Sequence, residues 1–182
     1  GSFDTAVTRD ATWRKLAVDY EVIGTPVISA HVTIESGTTI TFQQNVGLDV
    51  DGGALTADAQ GADTIMFTGI ESIRGFWKGI VFQNSVSSDN VLRHVVVEYG
   101  GSSGWLGGDL PIANVFVRGP SNAALVLMND VILRESGKYG LSVERGGRVV
   151  SCAGLVFEGN GDSNFISGQA NDPEVCEGVE PG

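Results

Sequence analysis

Three stretches of this chain can be laid over one another: Val91 to Gly101 (VLRHVVVEYGG), Leu127 to Gly137 (LMNDVILRESG) and Ser151 to Gly161 (SCAGLVFEGNG). Leu92, Met128 and Cys152 share a column, as do Val95, Val131 and Leu155, and Val97, Leu133 and Phe157. A second set of columns lies in GLDV (Gly47 to Val50), GIVF (Gly79 to Phe82), NVFV (Asn114 to Val117) and GLSV (Gly140 to Val143). The runs are short, rich in β-branched residues and partly alternating, which reads as strand. No apolar stripe of helical period extends over ten residues or so. A unit of a little over about twenty residues with two or three short strands cannot bury its own apolar face, whereas stacked units can. Stacking in parallel turns matching columns into ladders about 4.8 Å apart. A β-sandwich of antiparallel hairpins would not make the same columns recur in the same order. The expected fold is therefore all-β, a short right-handed parallel β-helix (solenoid) of about five coils with capping termini.

The 182 residues suffice for one domain with its own core. With 26 Gly against 5 Pro and 42% hydrophobic residues, the composition fits tight turns between short apolar runs and excludes a low-complexity chain. Gly1-Ser2 reads as a tag remnant, residues 3–161 as the β-helix with an N-terminal cap segment, and 162–182 as an acidic tail able to cap the far end. The stretch from Thr12 to Gly24 is the candidate cap strand or first half-coil. A net charge of −11 and no basic stripe argue against a nucleic-acid partner, and no apolar run is long enough for a membrane helix.

These residues resemble the right-handed parallel β-helix superfamily, the pectin-lyase-like group. VTIESGTTITF (Val32 to Phe42) is similar to an N-terminal coil common in secreted bacterial β-helix proteins. GLDVDGGALTADA (Gly47 to Ala59), IMFTG (Ile65 to Gly69), WKGIVF (Trp77 to Phe82) and LRHVVVEYGG (Leu92 to Gly101) resemble its consecutive coils. The resemblance covers most of the chain and is specific for fold. Members include polysaccharide lyases, glycoside hydrolases, adhesin passengers and modules without known activity, so it implies no single function.

Hydrolases of this kind need two carboxyls about 6.5–9.5 Å apart across the scissile bond. Lyases need a base and a cation beside the uronate carboxylate. The best acidic pair is Asp49 and Asp51, outward-facing and about 7 Å apart on one strand. It is a candidate Ca²⁺ or catalytic pair, set against a plain solvated face. His94 aligns with Asp130 and Gly154 at an expected corner, and His31 lies near the first coil; neither has a nucleophile in context. Glu98, Arg134 and Glu158 align as an outward Glu-Arg-Glu stack that favours register. The Val96, Ile132 and Val156 column reads as inside at a bend, or else as an exposed stripe.

One insertion, Gly100 to Pro111 (GGSSGWLGGDLP), lengthens the interval between Gly101 and Gly137. Loops on a rigid scaffold are common seats of recognition. Trp105 either folds back over an apolar wall or stands free to stack on a sugar. Trp77 and Tyr99 on neighbouring rungs are candidate companions, with Arg93, Lys78 and Asp109 as polar contacts. Cys152 and Cys176 are the only cysteines; a disulfide pinning the tail, worth about 3 kcal/mol, stands beside a buried thiol. Phe165 and Ile166 are candidate plugs for the open end. An even cysteine count in a Gly-rich acidic β protein points to an extracellular or cell-surface setting.

The leading expectation is a non-catalytic extracellular module of a larger surface or secreted bacterial protein, serving adhesion, spacing or glycan contact, with no cofactor beyond a candidate Ca²⁺. The alternative is a polysaccharide lyase or glycoside hydrolase domain with a groove along the coils. Self-association through coil ends or the Val96 column is a third partner class.

Overall fold

The structure is a computed structural model that describes residues 2–3, 6–61, 63–105, 112–119, 125–144 and 146–167. The described residues form no helix. Their strands are β1 (Ser2–Phe3), β2 (Ala11–Trp13), β3 (Tyr20–Val22), β4 (Val27–Ile28), β5 (His31–Ile34) and β6 (Thr39–Phe42). Next come β7 (Leu48–Asp51), β8 (Ala54–Asp58), β9 (Ile65–Gly69), β10 (Ile80–Gln83), β11 (Val91–Glu98) and β12 (Ala113–Arg118). The last are β13 (Leu125–Arg134), β14 (Tyr139–Glu144), β15 (Arg148–Ser151), β16 (Val156–Glu158) and β17 (Phe165–Ser167).

Every strand pairing is parallel, and the strands lie in two curled sheets. The larger runs β1-β3-β6-β9-β11-β8-β5-β2, with β13 paired to β11 and with β15 and β16 paired to β13. The smaller, six-stranded sheet runs β17-β14-β12-β10-β7-β4. β11 does the work of two shorter strands: Val91–Arg93 pair with Thr56–Asp58 of β8, and Val95–Val97 pair with Ile65–Phe67 of β9. Between the halves sits His94 at φ 55°, followed one strand on by Asp130 at 51° and then Gly154 at 72°. A second left-handed column holds Tyr99, Glu135 and Gly159. The aligned corners are thus left-handed bends, a conformation short polar residues and glycine reach at least cost.

The matched columns of the sequence become ladders of the core. Leu48, Ile80, Val115 and Leu141 stand in register on the smaller sheet, as do Val50, Phe82, Val117 and Val143, and all eight are fully buried. Leu92 pairs with Met128, Val95 with Val131, and Val97 with Leu133, which in turn pairs with Phe157. Strands inside such a stack must be apolar at every inward position, because the opposing side is another strand rather than water. Asn114 replaces the glycine of its column and fills the corner usefully: its Nδ2 donates to the carbonyls of Val97 (3.2 Å) and Arg134 (2.8 Å), and its Oδ1 accepts from Gly100 N at 2.8 Å.

The Val96 column points away from the core, against the inward reading of it, although Val96 itself is only 9% exposed. Met66, Val96, Ile132 and Val156 share one register line, but Val95 and Val97 on either side of Val96 point into the core. Strand alternation then turns Val96 outward, and by Val156 the line is 42% exposed. Beside it the Glu-Arg-Glu stack forms: Thr68 Oγ1 donates to Glu98 Oε1 (2.9 Å), and Arg134 Nε donates to Glu98 Oε2 (2.7 Å). Arg134 Nη1 lies 3.9 Å from Glu158. At the far end β17 pairs with β14, so Phe165–Ser167 extends the smaller sheet by one strand beyond residue 161. Cys152 packs against the core and is disulfide-bonded; Cys176 lies outside the described residues, as does the tail from residue 168 on.

Candidate functional site

Where alternation runs Leu48-in, Asp49-out, Val50-in, Asp51-out, β7 places two carboxylates on the outer face of the smaller sheet. Each is held by an amide from the next rung. Gln83 Nε2 donates to both oxygens of Asp49 (2.9 and 3.1 Å), and Asn84 Nδ2 donates to Asp51 Oδ1 at 2.9 Å. Burial pushes the Asp49 carboxyl up to about 6, the Gln83 hydrogen bond opposes the shift, and the charge of Asp51 adds to it. Asp49 therefore holds its proton to a higher pH than an ordinary carboxyl.

Trp105 joins this face. Its six-membered ring lies over Gly47, the outward position two residues before Asp49, so closely that a Cβ there would overlap the ring. Lys78 Nζ stands 5.7 Å from the Trp105 ring centroid, within reach of a cation–π attraction. The indole Nε1–H is buried and has no acceptor among the described residues. Of the two readings, Trp105 takes something of each: its ring lies against Gly47, just ahead of β7, and the residue as a whole is half-buried.

Two register lines extend the face toward β14. One is Asp49, Val81, Phe116, Ser142; the other is Asp51, Gln83, Arg118, Glu144. The face closes along these lines. Asp49, Asp51 and Gln83 are half-buried, whereas Phe116 and Ser142 are fully buried and Arg118 and Glu144 nearly so. Arg118 Nε and Ser142 Oγ have no hydrogen-bond partner among the described residues.

Other candidates fall elsewhere. Trp77 is fully buried, stacked on Phe42 at 3.9 Å and 8°, with its Nε1 donating to the Glu98 carbonyl at 2.8 Å. It is a core residue and offers no ring to a ligand. Tyr99 sits at a left-handed corner, packed in part against the core. Arg93 belongs to the larger sheet, where its Nη1 bonds Asp58 Oδ2 at 2.7 Å. Asp109 lies outside the described residues. His94 is an exposed corner, and His31 Nε2 lies 2.8 Å from Thr56 Oγ1. Among the described residues no group of three His, Cys, Asp or Glu is placed to hold a metal ion, and no helix is long and apolar enough to cross a membrane. The insertion thus brings Trp105 to Gly47 and Lys78, beside the β7 carboxylates, while Trp77, Tyr99 and Arg93 serve the scaffold.

Gln83, Asn84, Arg118 and Ser142 escape a reading confined to the apolar columns. Extending the aligned quartets by one residue lines up Asp51, Gln83, Arg118 and Glu144, the signal that finds Gln83 and Arg118; Asn84 follows one residue on, and Ser142 already stands in the column of Asp49.

Comparison with known protein families, with curated proteins and with solved structures finds no match to this chain.

Proposed function

We propose that this chain is a short right-handed parallel β-helix and works as a non-catalytic module of a larger secreted or cell-surface protein, making glycan contact through the outer face of its smaller sheet. The repeated register columns, with left-handed corners at matched positions, support the coiled architecture. The observation that carries the functional reading is the Trp105 ring laid over Gly47, in line with the amide-held carboxylates of Asp49 and Asp51. A partly open aromatic ring beside fixed carboxylate acceptors suits a sugar, whose C–H face stacks while its hydroxyls donate. Carboxylates already held by Gln83 and Asn84 lose little side-chain freedom when a ligand arrives. A glycan array with the whole chain, Trp105→Ala and Asp51→Asn tests it. Binding by the parent chain that falls at least tenfold in both variants supports the reading; binding unchanged by Trp105→Ala sinks it.

One observation favours a polysaccharide-cleaving alternative: Asp49, pushed up to about 6, stands beside Asp51 on the same strand. A carboxyl that keeps its proton nearer to neutrality, with a second carboxyl on the same strand, is what a general acid and its partner need. New reducing ends or unsaturated uronate absorbance, lost in Asp49→Asn, would establish catalysis; neither product from any tested glycan keeps the module reading.

A further inference from the structure

Arg118 and Ser142 stand out on the same face as two polar side chains at least nine-tenths buried, each with an orphaned donor among the described residues. Arg118 is 9% exposed and Ser142 fully buried. Strand alternation turns both outward, since Val115, Val117, Leu141 and Val143 take the inward positions. The strands are adjacent and in register, with Phe116 opposite Ser142 and Arg118 opposite Glu144, so Arg118 and Ser142 are diagonal neighbours. Diagonal positions across parallel strands are close enough for long side chains to act on one group.

We propose that Arg118 and Ser142 form a site for one oxyanion, the carboxylate or sulfate group of an acidic ligand. A guanidinium stays charged and offers five donors and no acceptor. Burying its Nε–H without an acceptor is unfavourable, so a site kept this way calls for an acceptor group. Carboxylate and sulfate both match its fork, and the Ser142 hydroxyl supplies a further donor. The groups around Arg118 in register are Gln83 on one side and Glu144 on the other. Glu144 has an interaction of its own, yet Arg118 Nε remains without an acceptor. Entry is from the β7 side, where Asp51 and Gln83 are half-buried and Asn84 is exposed. In a chain of net charge −11 the site selects by local donors and not by overall field. The site does not depend on Trp105 contacting a glycan.

The test is a titration of the whole ¹⁵N-labelled chain with sodium acetate and, separately, sodium sulfate at constant ionic strength set by chloride, following the Arg118 Nε–H resonance. A saturable shift with either salt, weakened at least tenfold by Ser142→Ala and kept in Trp105→Ala, supports the site; the salt that acts tells carboxylate from sulfate. Arg118→Gln should abolish the saturable stabilisation that the same salt gives in thermal melts. If Arg118→Gln does not fold, Ser142→Ala decides alone. A resonance that does not saturate, or a response equal in Ser142→Ala, overturns the proposal and leaves an adventitious ion only. Loss of glycan binding in Trp105→Ala with the oxyanion shift intact separates this site from the glycan reading.

Discussion

A carboxyl whose proton affinity rises on folding costs the folded chain stability when it ionises. Asp49 moves from 3.8 to about 6, with burial as the main cause. The folded state then holds a proton that the unfolded state has released between those values, so stability falls as pH rises through this window and stays level above it. After allowance for its partial exposure the loss is about 1–2 kcal/mol. Asp49→Asn removes the ionisation and keeps one acceptor for Gln83. Melts should show the variant more stable by that amount at pH 8 and indistinguishable from the parent at pH 4; equal gains at both values would mean that ionisation is not the cause. Glycine at 79 is the opposite kind of residue, dictated by backbone alone. Its φ is 99°, and a Cβ would overlap the carbonyl oxygens of Ala113 and Asn114 on the next rung. Gly79→Ala is expected to cost about 2–4 kcal/mol in denaturant unfolding.

At the scale of the strand, Trp77 shows how one side chain ties elements together. Its ring stacks on Phe42 of β6, and its Nε1–H satisfies the carbonyl of Glu98 at the end of β11. Trp77→Phe keeps most of the stack but orphans that buried carbonyl, an expected loss of about 1–3 kcal/mol. Trp77→Ala adds a cavity and should cost about 3–5 kcal/mol by equilibrium denaturation. Near-equal losses in the two variants would show that the stack contributes little. The inward ladders were legible in the sequence because burial admits only apolar residues at those positions, so the repeat survives as chemistry: Leu48 over Ile80, Val115 and Leu141. The corner column of His94, Asp130 and Gly154 was legible for a related reason, since few residues tolerate a left-handed bend. Outward positions obey no such filter. Val96, set between two core valines in an unbroken apolar run, gives no alternation to read, and only the strand register shows its direction. The core role of Trp77 is not legible in the sequence, because it depends on a partner, Phe42, far away along the chain. The ladder Asp51, Gln83, Arg118, Glu144 changes residue type at every rung, so no repeat in character marks it.

In the coiled architecture proposed above, each rung is held chiefly by the rungs before and after it, and stability should therefore be graded along the stack. The middle strands carry fully buried ladders on both sides, whereas β16 alternates exposed and half-buried residues, and Val150 and Val156 of the last rung are more than 40% exposed. Backbone amides of β15 and β16 should exchange with solvent at least about tenfold faster than those of β10 and β12. The rungs are joined by parallel pairing between residues distant in sequence, so refolding should also be slow, in the range of about milliseconds to seconds or longer. The disulfide at Cys152 acts on the weak end of this gradient. Reduction should raise exchange in β15 and β16 first and leave β7 to β12 protected, because the bond constrains only the chain beside the terminal rung. Exchange followed by mass spectrometry with and without reductant distinguishes the cases. Uniform protection along the stack, or loss of protection everywhere at once on reduction, would mean that the molecule opens as a single cooperative unit and that its rungs are not the units of stability.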